Sequence, residues 1–366
     1  MEEIIKKQIL NSPLGMLTYA EFIEAVLYHP EHGYYMNGEE KIGRDGDFYT
    51  TSNISDLYGT MIAKWYGQIV LKYGLPAVVC EIGAGTGAFA QSFISEWNKT
   101  MSIPLTYTLV EASPYHRRLQ QERIQLNQHI RQLESLEQVK PYEGLLFSNE
   151  LFDALPVHVI QQKNHELYEM MITVEENQII EKLVPLQDKR ILNFLHTEGL
   201  ELNEGQRIEI PLSMVRLIHS LSTVLVKGIA LTVDYGYTNE EWMDPAHKNG
   251  SLRGYRKHKM IEDVLIEPGK MDITSHIHFD ALIRIGESAG LSYIEKLRQD
   301  EFFLAIGILK ELQENYDPNP FSELSKRNRA IRSLIMPSGI SPSFHVVLQH
   351  KGMETFACDW HKRNTK

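Results

Sequence analysis

Ala77-Val78-Val79-Cys80-Glu81-Ile82-Gly83-Ala84-Gly85-Thr86-Gly87 is the stretch on which the fold turns. The apolar run Ala77 to Ile82 has the length and the continuity of a strand buried on both faces in a parallel sheet. Three glycines at alternate positions follow. Phe89, Phe93 and Trp97 then recur every four residues with Ala90 and Ile94 beside them, which is the period of a helix. Strand, glycine turn and helix make the opening unit of a nucleotide-binding α/β sheet. Glycine serves where the main chain turns through positive φ and where a ligand comes close to the backbone.

The spacing discriminates among ligands. The dinucleotide fingerprint is G-x-G-x-x-G, and here the third glycine comes one residue early. The Gly-Lys-Ser/Thr of a phosphate-gripping loop is missing from the turn, and Glu81 at the strand end suits a cationic ligand better than an anionic one. Thr106 to Val110 reads as a second strand closed by Glu111, 24 residues beyond Gly87. That is near the spacing of about 20 at which an acid reaches ribose hydroxyls. Ser113 and Pro114 then supply the cap and first residue of another helix. The pattern E-x-G-x-G-x-G followed by a strand-ending acid resembles a class I S-adenosylmethionine (SAM) methyltransferase. This reading places Gly83, Gly85 and Gly87 under the cofactor and Glu111 on its ribose. A hydride-transferring dehydrogenase is disfavoured by the glycine spacing.

Composition sets the bounds. The 366 residues are enough for two or three domains, or for one domain with an insertion. A formal net charge of −11 argues against nonspecific nucleic-acid binding. No apolar run reaches the length of a membrane span. The start, Met1-Glu2-Glu3-Ile4-Ile5-Lys6, has the character of neither a signal nor a transit peptide. Two cysteines, Cys80 and Cys358, make neither a disulfide framework nor a zinc site, so a reducing cytoplasm is expected, with Cys80 a small core residue.

Along the chain, residues 1–30 read as helical, with Thr18 and Glu21 as a capping box ahead of Phe22, Ile23, Val26 and Leu27. An aromatic, glycine-rich stretch follows, and its Gly46 to Ser52 part is expected to close over the cofactor through Asp47, Tyr49, Thr50 and Ser52. Leu57, Met61, Trp65 and Ile69 step by four along a helix starting near Ser55. Gly144 to Phe147 is a further strand, ending at Ser148-Asn149-Glu150-Leu151-Phe152-Asp153-Ala154-Leu155-Pro156, and a weaker strand is signalled near Ile130. Val157 to Ile160 and Leu167 to Val174 read as antiparallel strands, with helices near 191–200 and 213–222. The sheet resumes at Gly228 to Val233. Residues 238–275 read as a long loop of the kind that serves as a lid or binding segment. Phe279 to Ala289 returns to helix, and 293–309 and 344–348 read as closing strands around a helix near 324–335. The expected organisation is a helical and cofactor-lid segment (1–75), the first half of a Rossmann-like domain (76–156), an inserted subdomain (157–226) and the second half with a long substrate loop (227–366).

Read together, these stretches resemble the MidA-type methyltransferases, whose mitochondrial members are arginine methyltransferases in respiratory complex I assembly. The resemblance runs over nearly the whole chain. It rests on Tyr28-His29-Pro30-Glu31-His32-Gly33-Tyr34-Tyr35-Met36, Gly46-Asp47-Phe48, the glycine turn and Val110-Glu111-Ala112-Ser113-Pro114. It continues through Asn149-Glu150-Leu151-Phe152-Asp153-Ala154-Leu155-Pro156-Val157-His158, Asp234-Tyr235-Gly236, Leu252-Arg253-Gly254-Tyr255-Arg256 and Asp272-Ile273-Thr274-Ser275-His276. The Asn-Glu-x-Phe-Asp-Ala-Leu-Pro string is far more specific than the glycine turn. Two positions depart from the family's pattern: Ser52-Asn53 stands where Pro-Glu is favoured, and His278 where an acid often follows. The resemblance implies a class I Rossmann-like α/β fold with an N-terminal helical segment and an insertion, SAM as cofactor and a protein substrate.

Arginine's guanidinium does not deprotonate freely, and paired carboxylates can hold it bidentately and localise its charge. Glu150 and Asp153, three apart in a turn after a sheet strand, have the right type and place for this. The same acids also suit a helix N-terminus. With the resemblance they are the candidate catalytic pair, joined by His276, with Arg253 and Tyr255 as substrate-binding candidates and Glu81 and Asn149 beside the cofactor. His276 and His278 lack a third metal-ligating partner in the sequence, so no metal is expected. The expected activity is methyl transfer to an arginine of a partner protein. A SAM-binding assembly factor without turnover and a small-molecule N- or O-methyltransferase are the alternatives.

Overall fold

The computed structural model describes residues 1–38, 56–312, 319, 321–336 and 341–354. The chain divides into two compact units. One comprises 49–151, 219–235 and 286–366, and the other 1–48, 152–218 and 236–285.

The first unit is built on a seven-stranded sheet. Its strands are β2 (Val78–Ile82), β3 (Thr106–Val110), β4 (Ile130–Leu133), β5 (Tyr142–Asn149), β10 (Leu225–Asp234), β16 (Ser292–Arg298) and β17 (His345–Lys351), in the order β16-β17-β10-β5-β2-β3-β4. β10, β5, β2, β3 and β4 run parallel, and β17 lies antiparallel between β10 and β16. From β2 the chain steps outward through β3 and β4, then returns to place β5 on the other side of β2. The crevice beyond the carboxyl ends of β2 and β5 is therefore the topological switch point, where open α/β sheets bind ligands. Leu145, Phe147, Ile229, Leu231 and Val346 pack with Phe89, Phe93 and Trp97 of the helix Ala88–Thr100 and with Met61, Ile62 and Tyr66 of the helix Leu57–Tyr73. Cys80 is buried in β2, and that burial pushes its thiol up to about 12, so it behaves as a small apolar group.

The second unit has its own core, in which Phe22, Val26, Leu27 and Tyr34 meet Val157, Val159, Ile172 and Ile273. Its five-stranded antiparallel sheet contains β1 (Leu17–Thr18), β6 (His158–Lys163), β7 (Glu166–Glu175), β8 (Gln178–Pro185) and β9 (Arg207–Ile210). Thr18 caps the helix Tyr19–Tyr28 in the capping box read from the sequence, its hydroxyl taking the Glu21 N–H while the Glu21 carboxylate takes the Thr18 N–H.

Three readings are corrected. Residues 238–275 are not a featureless loop. They hold a helical turn (Asn239–Trp242) and a three-stranded antiparallel sheet of β12 (Arg253–Arg256), β13 (Lys259–Ile261) and β14 (Asp272–Thr274). Strands this short and polar carry no alternation, and their pairing with one another makes them strands. The strand expected over 293–309 ends at Arg298, where Glu301 accepts the Arg298 N–H and starts the helix Gln299–Ala305. β8 and β9 had no place in the reading. The helix start expected at Ser55 lies outside the described residues, and the described helix begins at Leu57.

Candidate active site

The glycine turn closes the end of β2. Gly83, Gly85 and Gly87 have φ of +71°, +50° and +76°, a region that a side chain disfavours. The Gly83 and Ala84 N–H groups donate to the Val110 carbonyl, which ties the turn to β3. Glu111, the next residue, turns its carboxylate back onto the turn. One oxygen accepts the Gly85 N–H and the other the Ser113 N–H, both at 2.8 Å. The turn and the strand-ending acid, 24 residues apart in the chain, thus share one site. Ser113 and Pro114 start the following helix as read, the Ser113 hydroxyl accepting the His116 N–H.

Gln120 on that helix was not anticipated. It is fully buried, and its amide donates to the Gly85 carbonyl at 2.7 Å. A Cβ at Gly87 would stand 3.0 Å from its side chain. The available signal was its i, i+4 spacing from His116, which places both on the buried face of a helix that is otherwise polar.

Glu81 is buried under the turn and accepts the Tyr107 hydroxyl at 2.7 Å. Burial pushes its pKa up to about 8. The Tyr107 hydrogen bond opposes this and the Glu111 charge adds to it. Before any ligand arrives, the acid under the turn is therefore largely neutral at pH 7.

Across the switch point, β5 ends at Asn149, and Glu150 takes φ +50°, rare for a residue with a side chain. The Glu150 N–H donates to the Val233 carbonyl, and its carboxylate accepts from the Asn149 side-chain amide at 2.9 Å. Leu151 leans on the glycine turn, its Cδ1 3.0 Å from where a Cβ at Gly83 would stand. Glycine turn, Glu111, Asn149 and Glu150 are therefore gathered at one end of one sheet. No helix follows Glu150. The chain turns through Phe152 to Leu155 and reaches Pro156 before β6, so the helix-capping role open to Glu150 and Asp153 is excluded.

The remaining candidates belong to the second unit. Asp153 is buried, its carbonyl accepts the Ser275 N–H at 2.9 Å, and the Tyr28 hydroxyl donates to the neighbouring Ala154 carbonyl. His276 donates its main-chain N–H to the Ser251 hydroxyl, and its ring stacks on Tyr237 at 4.3 Å, with His247 stacked 3.9 Å from the same tyrosine. Burial, with the charges of His247 and Arg253, pushes its pKa down to about 4, so the ring is neutral at pH 7. His278 is likewise pushed to about 4 by burial. Its Nε2 donates to the Glu209 carbonyl, and its ring stacks on Trp242. Arg253 donates to the Leu252 and Gly250 carbonyls, and Tyr255 lies in β12 opposite Asp272 and Met260. Asp47, Tyr49, Thr50 and Ser52 lie outside the described residues. Among the described residues, no three His, Cys, Asp or Glu side chains are placed to hold a metal.

The donor set fits SAM. Positive-φ glycines let a ligand lie against the backbone, and Glu111 offers a carboxylate to hydroxyl donors. The sheet order and this site define a class I SAM-dependent methyltransferase. The profile of a family described as "Putative S-adenosyl-L-methionine-dependent methyltransferase" matches residues 61–296, and the chain belongs to that family. Its relatives are of the MidA type. The arginine methyltransferase NDUFAF7 homolog of Drosophila melanogaster is 27% identical over 78% of this chain and 70% of its own length. The human protein arginine methyltransferase NDUFAF7 is 24% identical over 93% and 82%. A crystal structure of a COG1565 superfamily member from Burkholderia thailandensis, bound to S-adenosyl-homocysteine, superposes with a TM-score of 0.89 at 26% identity, covering 99% of this chain and 95% of that one. SAM is the cofactor of the family and of this chain.

Proposed function

We propose that the protein transfers the methyl group of SAM to a guanidinium nitrogen of an arginine in a partner protein. The observation that carries this reading is Glu150 at the switch point, at the end of the strand that lies beside the one running into the glycine turn, held in a left-handed backbone conformation that no helix cap explains. The relatives named as protein arginine methyltransferases support the acceptor class.

The bound cofactor supplies an electrophilic methyl carbon on a cationic sulfur, which leaves as a neutral thioether as the N–C bond forms. Glu150 holds the guanidinium by charge-assisted hydrogen bonds and draws its positive charge toward the nitrogens it grips. The nitrogen facing the methyl group then keeps the electron density to attack, and its proton passes to solvent. A chain with a formal charge of −11 suits a cationic segment of a partner.

The test is labelled SAM with a cell lysate, followed by mass spectrometry of the labelled protein. Glu150→Gln keeps the shape and loses the charge. It is expected to bind SAM within about twofold of wild type and to methylate at least about tenfold more slowly, roughly 1.4 kcal/mol of transition-state stabilisation. A wild-type rate in this variant, or a methyl group on any residue but arginine, overturns the reading.

A further inference from the structure

A row of buried polar side chains stands behind Glu150. Its Oε1 accepts from the Asn149 side-chain amide at 2.9 Å. The Asn149 Oδ1 lies 3.1 Å from the Tyr58 hydroxyl, which lies 3.2 Å from the Gln299 amide, which in turn lies 2.8 Å from the Ser341 hydroxyl. Tyr58, Gln299 and Ser341 are all buried, and all five residues belong to the same unit. They come from the first turn of one helix, the end of β5, the start of another helix and a helical turn near the C-terminus.

The carboxylate sets the direction of the row. An ionised carboxylate only accepts, so Asn149 must turn its NH2 toward Glu150 and its oxygen toward Tyr58. Tyr58 has a single proton, and that oxygen takes it. Burial first, and then the charge of Glu150, hold the Tyr58 phenol well above its ordinary pKa, so the proton stays in place. Gln299 points its side-chain oxygen at Tyr58 and its NH2 at the Ser341 hydroxyl, which leaves Tyr58 with two acceptors for one proton; turning that amide over lets Gln299 donate to the Tyr58 oxygen and accept from Ser341.

We propose that Tyr58 and Gln299 are positioning residues for Glu150: through the Asn149 amide they hold its carboxylate at the switch point for the incoming guanidinium. This rests on the reading of Glu150 given above. A packing role for Tyr58 is also filled, since its ring meets Phe89 and Phe303 edge-on, and Tyr58→Phe preserves those contacts while deleting the hydroxyl.

The full chain is assayed with tritiated SAM and cell lysate as Tyr58→Phe, Glu150→Gln and the double variant, and Tyr58→Phe is crystallised with S-adenosylhomocysteine. Tyr58→Phe is expected to lose about tenfold in maximal rate of label transfer with its KM for SAM unchanged. The double variant is expected to be no slower than Glu150→Gln alone, because the row acts only through that carboxylate. In the crystal the Asn149 amide swings away from Glu150. Equal losses from Tyr58→Phe in both backgrounds overturn the proposal. So does an Asn149 amide that stays on Glu150. If Glu150→Gln transfers label at the wild-type rate, the arginine reading fails instead. The crystal structure of Tyr58→Phe then decides the positioning role by itself: a displaced amide supports it and an unmoved one refutes it.

Discussion

Glu81 shows how one residue carries both the fold and the site. Folded, it is a buried acid with a pKa pushed from about 4.5 up to about 8; unfolded, it is an ordinary carboxyl. The folded state therefore holds the proton more tightly. The stability this contributes is fully present below about pH 4.5 and is lost as the pH rises through about 8. Glu81→Gln is always neutral and can still accept the Tyr107 hydroxyl. Its melting temperature relative to wild type is expected to rise steadily between pH 5 and 8, measured without ligand by calorimetry. A pH-independent difference would show that Glu81 is ionised throughout. At this scale the sequence was legible where chemistry is local. Alternate glycines, a strand-ending acid and a serine before proline each name a backbone conformation or a cap, and Gly83, Glu111 and Ser113 stand accordingly. It was illegible where a side chain acts on a distant residue. Nothing near Gln120 in the chain marks it as the partner of the Gly85 carbonyl, and nothing near Tyr58 marks it as a neighbour of Asn149.

Elements were legible in proportion to their own pattern. The helices Leu57–Tyr73 and Ala88–Thr100 and the strands β2, β3 and β5 have apolar faces dense enough to specify them alone. β8, half-exposed along most of its length, and the three or four residues of each of β12, β13 and β14 depend on partners brought from elsewhere in the chain. One element-level constraint lies where β2, β5 and β10 run side by side. Gly144 of β5 has φ +150° and pairs with Gly228 of β10, and a Cβ on Gly144 would run into the Val78 carbonyl of β2. Gly144→Ala is expected to destabilise the protein by roughly 3 kcal/mol, as overpacking a core does. Gly74, which ends a helix at φ +65° with nothing within 4 Å of a Cβ, provides the comparison. Gly74→Ala is expected to cost roughly 1 kcal/mol from backbone conformation alone. Equal losses in denaturant titrations of the two variants would rule out the close approach of β5 to β2 as the cause.

At the scale of the whole molecule, each unit draws on three separate stretches of chain. β17 is the clearest case. It lies between β10 and β16, and among the described strands β16 has no other partner. A chain ending at Phe344 would lose β17, free β16 from the sheet and leave β10 with an exposed edge. Such a chain is expected to show no cooperative thermal transition and no calorimetric binding of S-adenosylhomocysteine, although the glycine turn, Glu111 and Glu150 all remain in it. Cooperative melting at the wild-type temperature would show that the parallel half of the sheet stands alone. The position of β17 also bears on how the protein is made. On the ribosome, the parallel strands from β2 to β10 emerge first, and β17, which pairs with β10, is made only after the whole of 235–344. Until β17 is made, the nascent chain presents β10 as an open strand edge, the kind of surface that invites aggregation during folding.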